Sequence, residues 1–425
     1  MKEESNPLSS PDHTVRFHRL SQEMNNLESG GSQRWTNHPF LDQLRQMGDQ
    51  LADECFWELK RYLGKDDFSE LFKKLNSNDQ PLTEDIPRPL KEFIYQTTKR
   101  PLVNGEPIDC SRIKGGQKVF MTHALPSALV LLTKSLPEGY AAPNLSKVLC
   151  LSDNLTERPY RRLLGVLQMV INVSAVGGFD PKGKAIITIP KIRLLHAGVR
   201  HIVQTHCSSY EKHHGVPVNI EDLLGTVMGF SYLVIDGLKQ LDIGLTDEEA
   251  EDFFYLWRVF AQMMGIHPEH NPNSALFVPA NLEEAKIFYE TYKSRHFVEA
   301  SHNPEGVLLA KANLQMLNDL LPQTPLRRLG LKIVPRMYME ELMGREGYAR
   351  TGLEPIRFLY LTKWVLRHLP GVWTRLWNVH DQFDPSKHFH ENVSRIFFQH
   401  LINVEFGGEV TFRIPDTLVE LKKLA

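Results

Sequence analysis

The chain has 425 residues, with 49 Lys plus Arg against 51 Asp plus Glu, a formal net charge of −2. That balance leaves no electrostatic footprint for nucleic acid or an anionic membrane, and the length allows one large core or two modest ones. Four cysteines (Cys55, Cys110, Cys150 and Cys207) stand far apart with no CxxC pair, which excludes a cysteine-rich zinc site and a disulfide scaffold and predicts reduced, intracellular thiols.

Residues 1–38 are polar and rich in Ser, Asn and Gly, and a flexible tail is expected there. The opening residues carry no apolar signal core, so a cytoplasmic protein is expected. From Phe40 the apolar residues recur every three or four positions and stop at Gly64, which predicts one helix within an N-terminal helical segment over 39–90. The main domain is expected over 91–425. Its most apolar short run, residues 124–132, carries Pro126 and falls well short of the roughly 20 residues of a spanning helix, so no transmembrane segment is expected.

Helices follow over 157–178, 191–206, 219–241 and 246–265. The third is apolar nearly all round, and its Gly225-xxx-Gly229 pair permits close approach of a backbone or a flat ligand. Glu221 and Asp222 sit at its start, where carboxylates favour the helix end. The fourth opens with a Thr246/Glu249 capping box and carries the stripe Phe253, Trp257, Phe260, Met264, with Trp257 read as core packing beside a pocket. Further helices are expected after Asn281. Strand signals are confined to "KAIITIP" (184–190) and "EVTFRIP" (409–415), so the fold class is all-α, one large helical domain.

The stretch "KIRLLHAGVRHIVQTH" (191–206) is unusual, because Arg193 and Arg200 share a helical stripe with His196. At 100° per residue they lie about 60° and about 40° from the imidazole. Two guanidinium groups in apolar surroundings require an anion between them. A haem would answer both needs, since an imidazole ligates iron and arginines fork onto propionate carboxylates. Spacing alone leaves the plainer alternative open, a satisfied core histidine with arginines snorkelling to surface carboxylates.

"KIRLLHAGVRH" together with the helices around "GFS" and "LWR" resembles the family of the latex clearing proteins (rubber oxygenases) and the oxygenase of mycophenolic acid biosynthesis, from about Gly115 to about Gly347. The resemblance implies a globin-like helical core around haem b, with His196 as the iron ligand and Arg193 and Arg200 as the motif arginines. O2 would be the co-substrate, and an isoprenoid-like or lipid double bond would be cleaved. It also implies that Arg162, Gly165 and Val166 belong to the catalytic site, the last two on the distal helix, and that Trp257 matches the tryptophan of the family's "LWR" helix; the helix with Gly225 and Gly229 is expected to supply the flat, dry wall of the cofactor site. The family's basic region is represented by Arg327, Arg328 or Arg336. The rubber enzymes carry Lys-Thr where this chain has Gly165 and Val166, which implies a more open or more apolar distal side, with Gln168 and Asn172 as its nearest polar groups.

The function expected is a haem-dependent oxygenase acting on a hydrophobic small molecule. A non-catalytic haem carrier or sensor is one alternative. A non-haem di-iron oxygenase is another, because Glu211/His214 and Glu299/His302 have ExxH spacing. The clusters at His267/His270 and His388/His390 read as loop histidines. Oligomeric state is left open, a homo-oligomer among the options.

Overall fold

A computed structural model describes residues 33–64, 68, 71, 86–98, 102–103, 106–151, 159–181, 183–207, 209–266, 278–320, 333–356, 367–368 and 370–371. Among these the chain is helical, apart from a two-residue antiparallel pair, β1 (Leu102–Val103) with β2 (Glu106–Pro107). The early helices are α1 (His38–Leu44), α2 (Gln50–Tyr62), α3 (Arg88–Thr98), α4 (Cys110–Thr122) and α5 (Ala124–Val130). A π-turn over Leu131–Ser135 leads into α6 (Leu136–Gly139), and α7 (Pro143–Leu151), α8 (Pro159–Ser174) and α9 (Lys184–His206) follow. The second half holds α10 (Tyr210–His214), α11 (Ile220–Phe230), α12 (Tyr232–Gln240), α13 (Asp247–Met263), α14 (Leu282–His296), α15 (Pro304–Leu320) and α16 (Val334–Arg350).

Described residues of the stretch expected to be a tail are packed. Trp35 is fully buried, sets its ring edge against Phe288 at 5.5 Å, and donates from Nε1 to Glu284 at 2.7 Å. Phe40, Leu41, Leu44 and Met47 belong to the same core as α11, α13 and α14.

Three expected elements differ from those observed. The helix expected from Phe40 to Gly64 is two, separated where Asp49 takes an extended conformation and caps α2 by accepting from Ala52 N–H at 3.1 Å. The helix over 219–241 breaks at Ser231, whose φ of −113° and ψ of −83° are not helical. "KAIITIP" is no strand; it forms the first two turns of α9, with Pro190 inside the helix. Its run of β-branched residues imitates strand propensity, and burial of Ala185, Thr188 and Ile189 decides otherwise. "EVTFRIP" lies outside the described residues.

The capping box of α13 forms as expected, and Phe253, Trp257, Phe260 and Met264 are all buried. Among the described residues no single helix is long and apolar enough to cross a membrane. Only α4 combined with α5–α6 reaches that length, across an 82° bend.

Candidate functional site: the helix of His196

α9 is 23 residues long and packs on α2, α3, α7, α8 and α10. Its face toward α2 carries Leu194 and Ala197, which join Ala52, Cys55, Phe56 and Leu59 in one apolar cluster. Arg193 and Arg200 emerge on that same side and are 1% and 0% exposed. The anions they require come from the protein. Arg193 donates from Nε and Nη2 to the two carboxylate oxygens of Asp49, each at 2.7 Å. Its Nη1 donates to Thr97 Oγ1 at 3.1 Å and to the Met263 carbonyl at 3.3 Å, and the guanidinium lies 5.2 Å from the Phe93 ring centre. Arg200 donates from Nε to both oxygens of Asp53, at 2.9 and 3.1 Å, and from Nη1 to the Val218 carbonyl at 3.0 Å. Its Nη2 is 2.8 Å from Asp53.

The expectation that haem propionates neutralise Arg193 and Arg200 is therefore corrected. The Arg193 fork is engaged by Asp49, while Arg200 bonds Asp53 through Nε alone, and its buried Nη2, though close to Asp53, has no hydrogen-bond partner among the described residues. Two glycines make room for these pairs. A Cβ on Gly48 would lie 3.1 Å from Arg200, and one on Gly265 would lie 2.9 Å from both Arg193 and Asp49. Burial alone would raise the Asp49 carboxyl, but Arg193, with help from Arg200, holds it below the ordinary range. For Asp53 burial outweighs Arg200, and its carboxyl is pushed up to about 6. Val218, with a φ of +54° that a β-branched residue rarely adopts, is held by Arg200, which donates to its carbonyl.

His196 lies on the same helix, about 40–60° around its axis from the two arginines, and is half-buried together with Leu195 and Val199. α8 packs alongside. Gly165 and Val166 on α8 are half-buried, and Gln168 donates to Asn172 at 2.8 Å, which in turn donates to Thr188 of α9 at 3.1 Å. This chain of amides fixes α8 against α9 and uses both polar groups expected on the distal face. The Arg162 side chain lies outside the described residues.

Trp257 is fully buried, stacked on Phe230 at 5.2 Å and set edge-on to Phe260 at 5.2 Å. Its Nε1–H has no hydrogen-bond partner among the described residues. The space that Gly225 opens is taken by the protein itself, since a Cβ there would lie 2.8 Å from the Tyr292 ring. Gly229 has only Ser135 Cβ nearby, at 4.0 Å. The flat partner expected at Gly225 is thus a tyrosine. Tyr292 donates to Asp222 at 3.0 Å, and the Asn144 amide reaches its hydroxyl at 3.2 Å, so the ring has no room to retreat. Gly225→Ala is expected to destabilise the protein by about 1–3 kcal/mol. A chemical-denaturation midpoint equal to that of the parent would contradict the close packing.

Glu221 and Asp222 occupy the first turn of α11, as expected, but Asn219 is the cap. Glu221 accepts from Arg295 at 3.0 Å, and Asp222 is held by Asn219 and Tyr292, so both are structural anchors buried under the helix start. The ExxH spacings fall at helix ends or in short turns. Glu211, Glu299 and His302 are exposed, and His214 meets Lys147 at 3.1 Å. That placement is unlike the interior of a di-iron bundle, and among the described residues no three His, Cys, Asp or Glu are grouped to hold a metal ion. Arg336 bonds the Tyr348 hydroxyl at 3.3 Å on α16; Arg327, Arg328, His267, His270, His388 and His390 lie outside the described residues.

A haem needs one neutral imidazole from the protein on its ligating side, on a rigid element with apolar walls. His196 on the anchored α9, half-buried beside Leu195 and Val199 and about 40–60° around the axis from the two arginines, fits that donor set.

The stretch that resembles known proteins includes α9. Residues 115–368 match the catalytic domain described as ER-bound oxygenase mpaB/B'/Rubber oxygenase. A rubber oxygenase of Streptomyces sp. (strain K30) is 23% identical over 252 residues, 59% of this chain and 58% of that protein. The structure of latex clearing protein LCP in the closed state superposes with a TM-score of 0.63 at 19% identity, over 84% of this chain and 91% of the other. That likeness establishes a shared fold, and it covers more of the chain than the sequence match does.

Proposed function

The chain belongs to the ER-bound oxygenase mpaB/B'/rubber oxygenase family, and from that premise we propose a haem b-dependent oxygenase that uses O2 on a hydrophobic, alkene-bearing small molecule. The observation that carries the reading is the half-buried His196 on a helix tied to α2 by two buried ion pairs. Haem bound there would supply the O2-activating iron. The protein's share is to hold the imidazole, to keep water away with apolar side chains, and to orient a substrate double bond. His196 would be the iron ligand. Gly165 and Val166 would leave the opposite side without a competing lysine. The metabolic double bond targeted is a hydrophobic one, in keeping with the apolar half-buried positions Val166, Leu195 and Val199.

The test is O2 uptake by the hemin-reconstituted protein with a panel of terpenoids and unsaturated lipids. Uptake with at least one of them, and carbonyl products, are expected. Haem binding without uptake on any of them would overturn the oxygenase reading in favour of a carrier. Gly165→Lys is expected to convert a five-coordinate spectrum into a six-coordinate one, by placing an amine on the distal helix. An unchanged spectrum would mean that Gly165 faces elsewhere.

A further inference from the structure

Residues 115–368 carry the family match, yet the partners of the two motif arginines lie well before it, at Asp49 and Asp53. We propose that Asp49 and Asp53 are positioning residues for His196, so that the N-terminal helix α2 is an integral part of the cofactor site. The proposal rests on the reading of His196 as a haem ligand.

A helix packed by apolar side chains alone can rotate or slide by small amounts at little cost, because such contacts are not directional. Forked ion pairs are directional. Here the Arg193 fork and the Nε–H that Arg200 shares between both Asp53 oxygens, seven residues apart on α9, meet carboxylates four residues apart on α2. With Arg193 and Arg200 held toward α2, the imidazole is carried about 40–60° around the axis, away from that helix. Further contacts set the same rotation: His201 lies 4.7 Å from the Trp57 ring and 3.1 Å from Lys60 Nζ, both on α2. The backbone closes the arrangement, with Val216 N–H donating to the Arg45 carbonyl at 3.0 Å and Ile220 N–H to the Met47 carbonyl at 2.9 Å. Asp49 ties α9 to α3 and α13 through Arg193, which also reaches Thr97 and Met263. Asp53 ties it to the loop before α11 through Arg200 and Val218. Each end of the His196 turn is thus pinned separately.

The alternative is that these pairs serve stability only. Asp53→Asn and the neutral pair Asp53→Asn/Arg200→Met separate the two, because removing both charges relieves the unpaired guanidinium without restoring the ion pair. In the full-length protein, Asp53→Asn is expected to bind hemin at least about tenfold more weakly. Its absorbance should show mixed ligation. Without hemin, amide exchange over residues 195–203 should be at least about tenfold faster, with α13 unchanged. The double variant should regain the urea midpoint and neither the single-form spectrum nor the slow exchange. If Asp53→Asn does not fold, the double variant carries the same comparison against the parent. Parent-like spectrum and exchange in either variant would overturn the proposal. Failure of the parent to bind hemin would overturn the haem reading instead, and the exchange data would still decide whether the aspartates fix α9.

Discussion

Asp49→Ala is expected to lower the stability of the protein by about 3–5 kcal/mol, the range for stranding one member of a buried ion pair. Two losses coincide. Arg193 would remain inside the protein with no anion, and α2 would lose the side chain that accepts from Ala52 N–H, a cap commonly worth about 1 kcal/mol. Domains of ordinary stability hold only about 5–15 kcal/mol in total, so the variant should be partly unfolded well below the parent's midpoint. Urea unfolding followed by circular dichroism measures this. Arg193→Ala should cost a similar amount, since it strands the carboxylate, and the double variant should cost much less than the sum of the two. Additive losses would show that the pair does not act as a unit.

His196→Ala should have the opposite profile, with loss of the cofactor and little loss of fold. The side chain is half-buried and lies off the face that packs on α2, so truncation should change stability by no more than about 1 kcal/mol. Haem retention after purification should nevertheless fall to background, because no other described histidine lies on this stripe of α9. Added imidazole should restore part of the absorbance by occupying the vacated position. Hemin titration monitored by absorbance checks both points. A variant that keeps full, stoichiometric haem would remove His196 from the iron.

The helices were legible where period and cap coincide. The Thr246/Glu249 box and the stripe Phe253, Trp257, Phe260, Met264 define α13 without any tertiary knowledge. Breaks inside continuous apolar patterns were not legible. Nothing in "GFSYLV" marks Ser231 as a hinge, and α9 absorbs Ile186, Ile187, Thr188 and Ile189 against their local preference because burial outweighs propensity. Trp35 shows the same limit, since its polar neighbours read as a tail while its ring fills a hole beside Phe288.

At the site, the sequence posed the right electrostatic question and could not give its answer. Arg193 and Arg200 on one stripe demand anions, and a propionate and an aspartate satisfy that demand equally well from spacing alone. The partners lie about 140 positions upstream, a separation that no local pattern encodes. One signal was available. Asp49 and Asp53 are spaced by one helical turn beside Ala52, Cys55 and Phe56, so they fall on or beside the buried face of an amphipathic helix, where unpaired carboxylates are costly. Matching two buried acids to two buried bases would have suggested the pairing. The tyrosine against Gly225 had no such signal, because a glycine pair on an apolar helix announces close approach without naming what approaches.

The visible absorbance of the full-length parent protein, titrated with hemin, tests the assignment of His196 most directly. The expected result is saturation at one haem per chain, with an intense near-ultraviolet band whose position marks histidine ligation and which His196→Ala abolishes. A parent protein that stays colourless after reconstitution, or one whose band is the same with and without that imidazole, would contradict it.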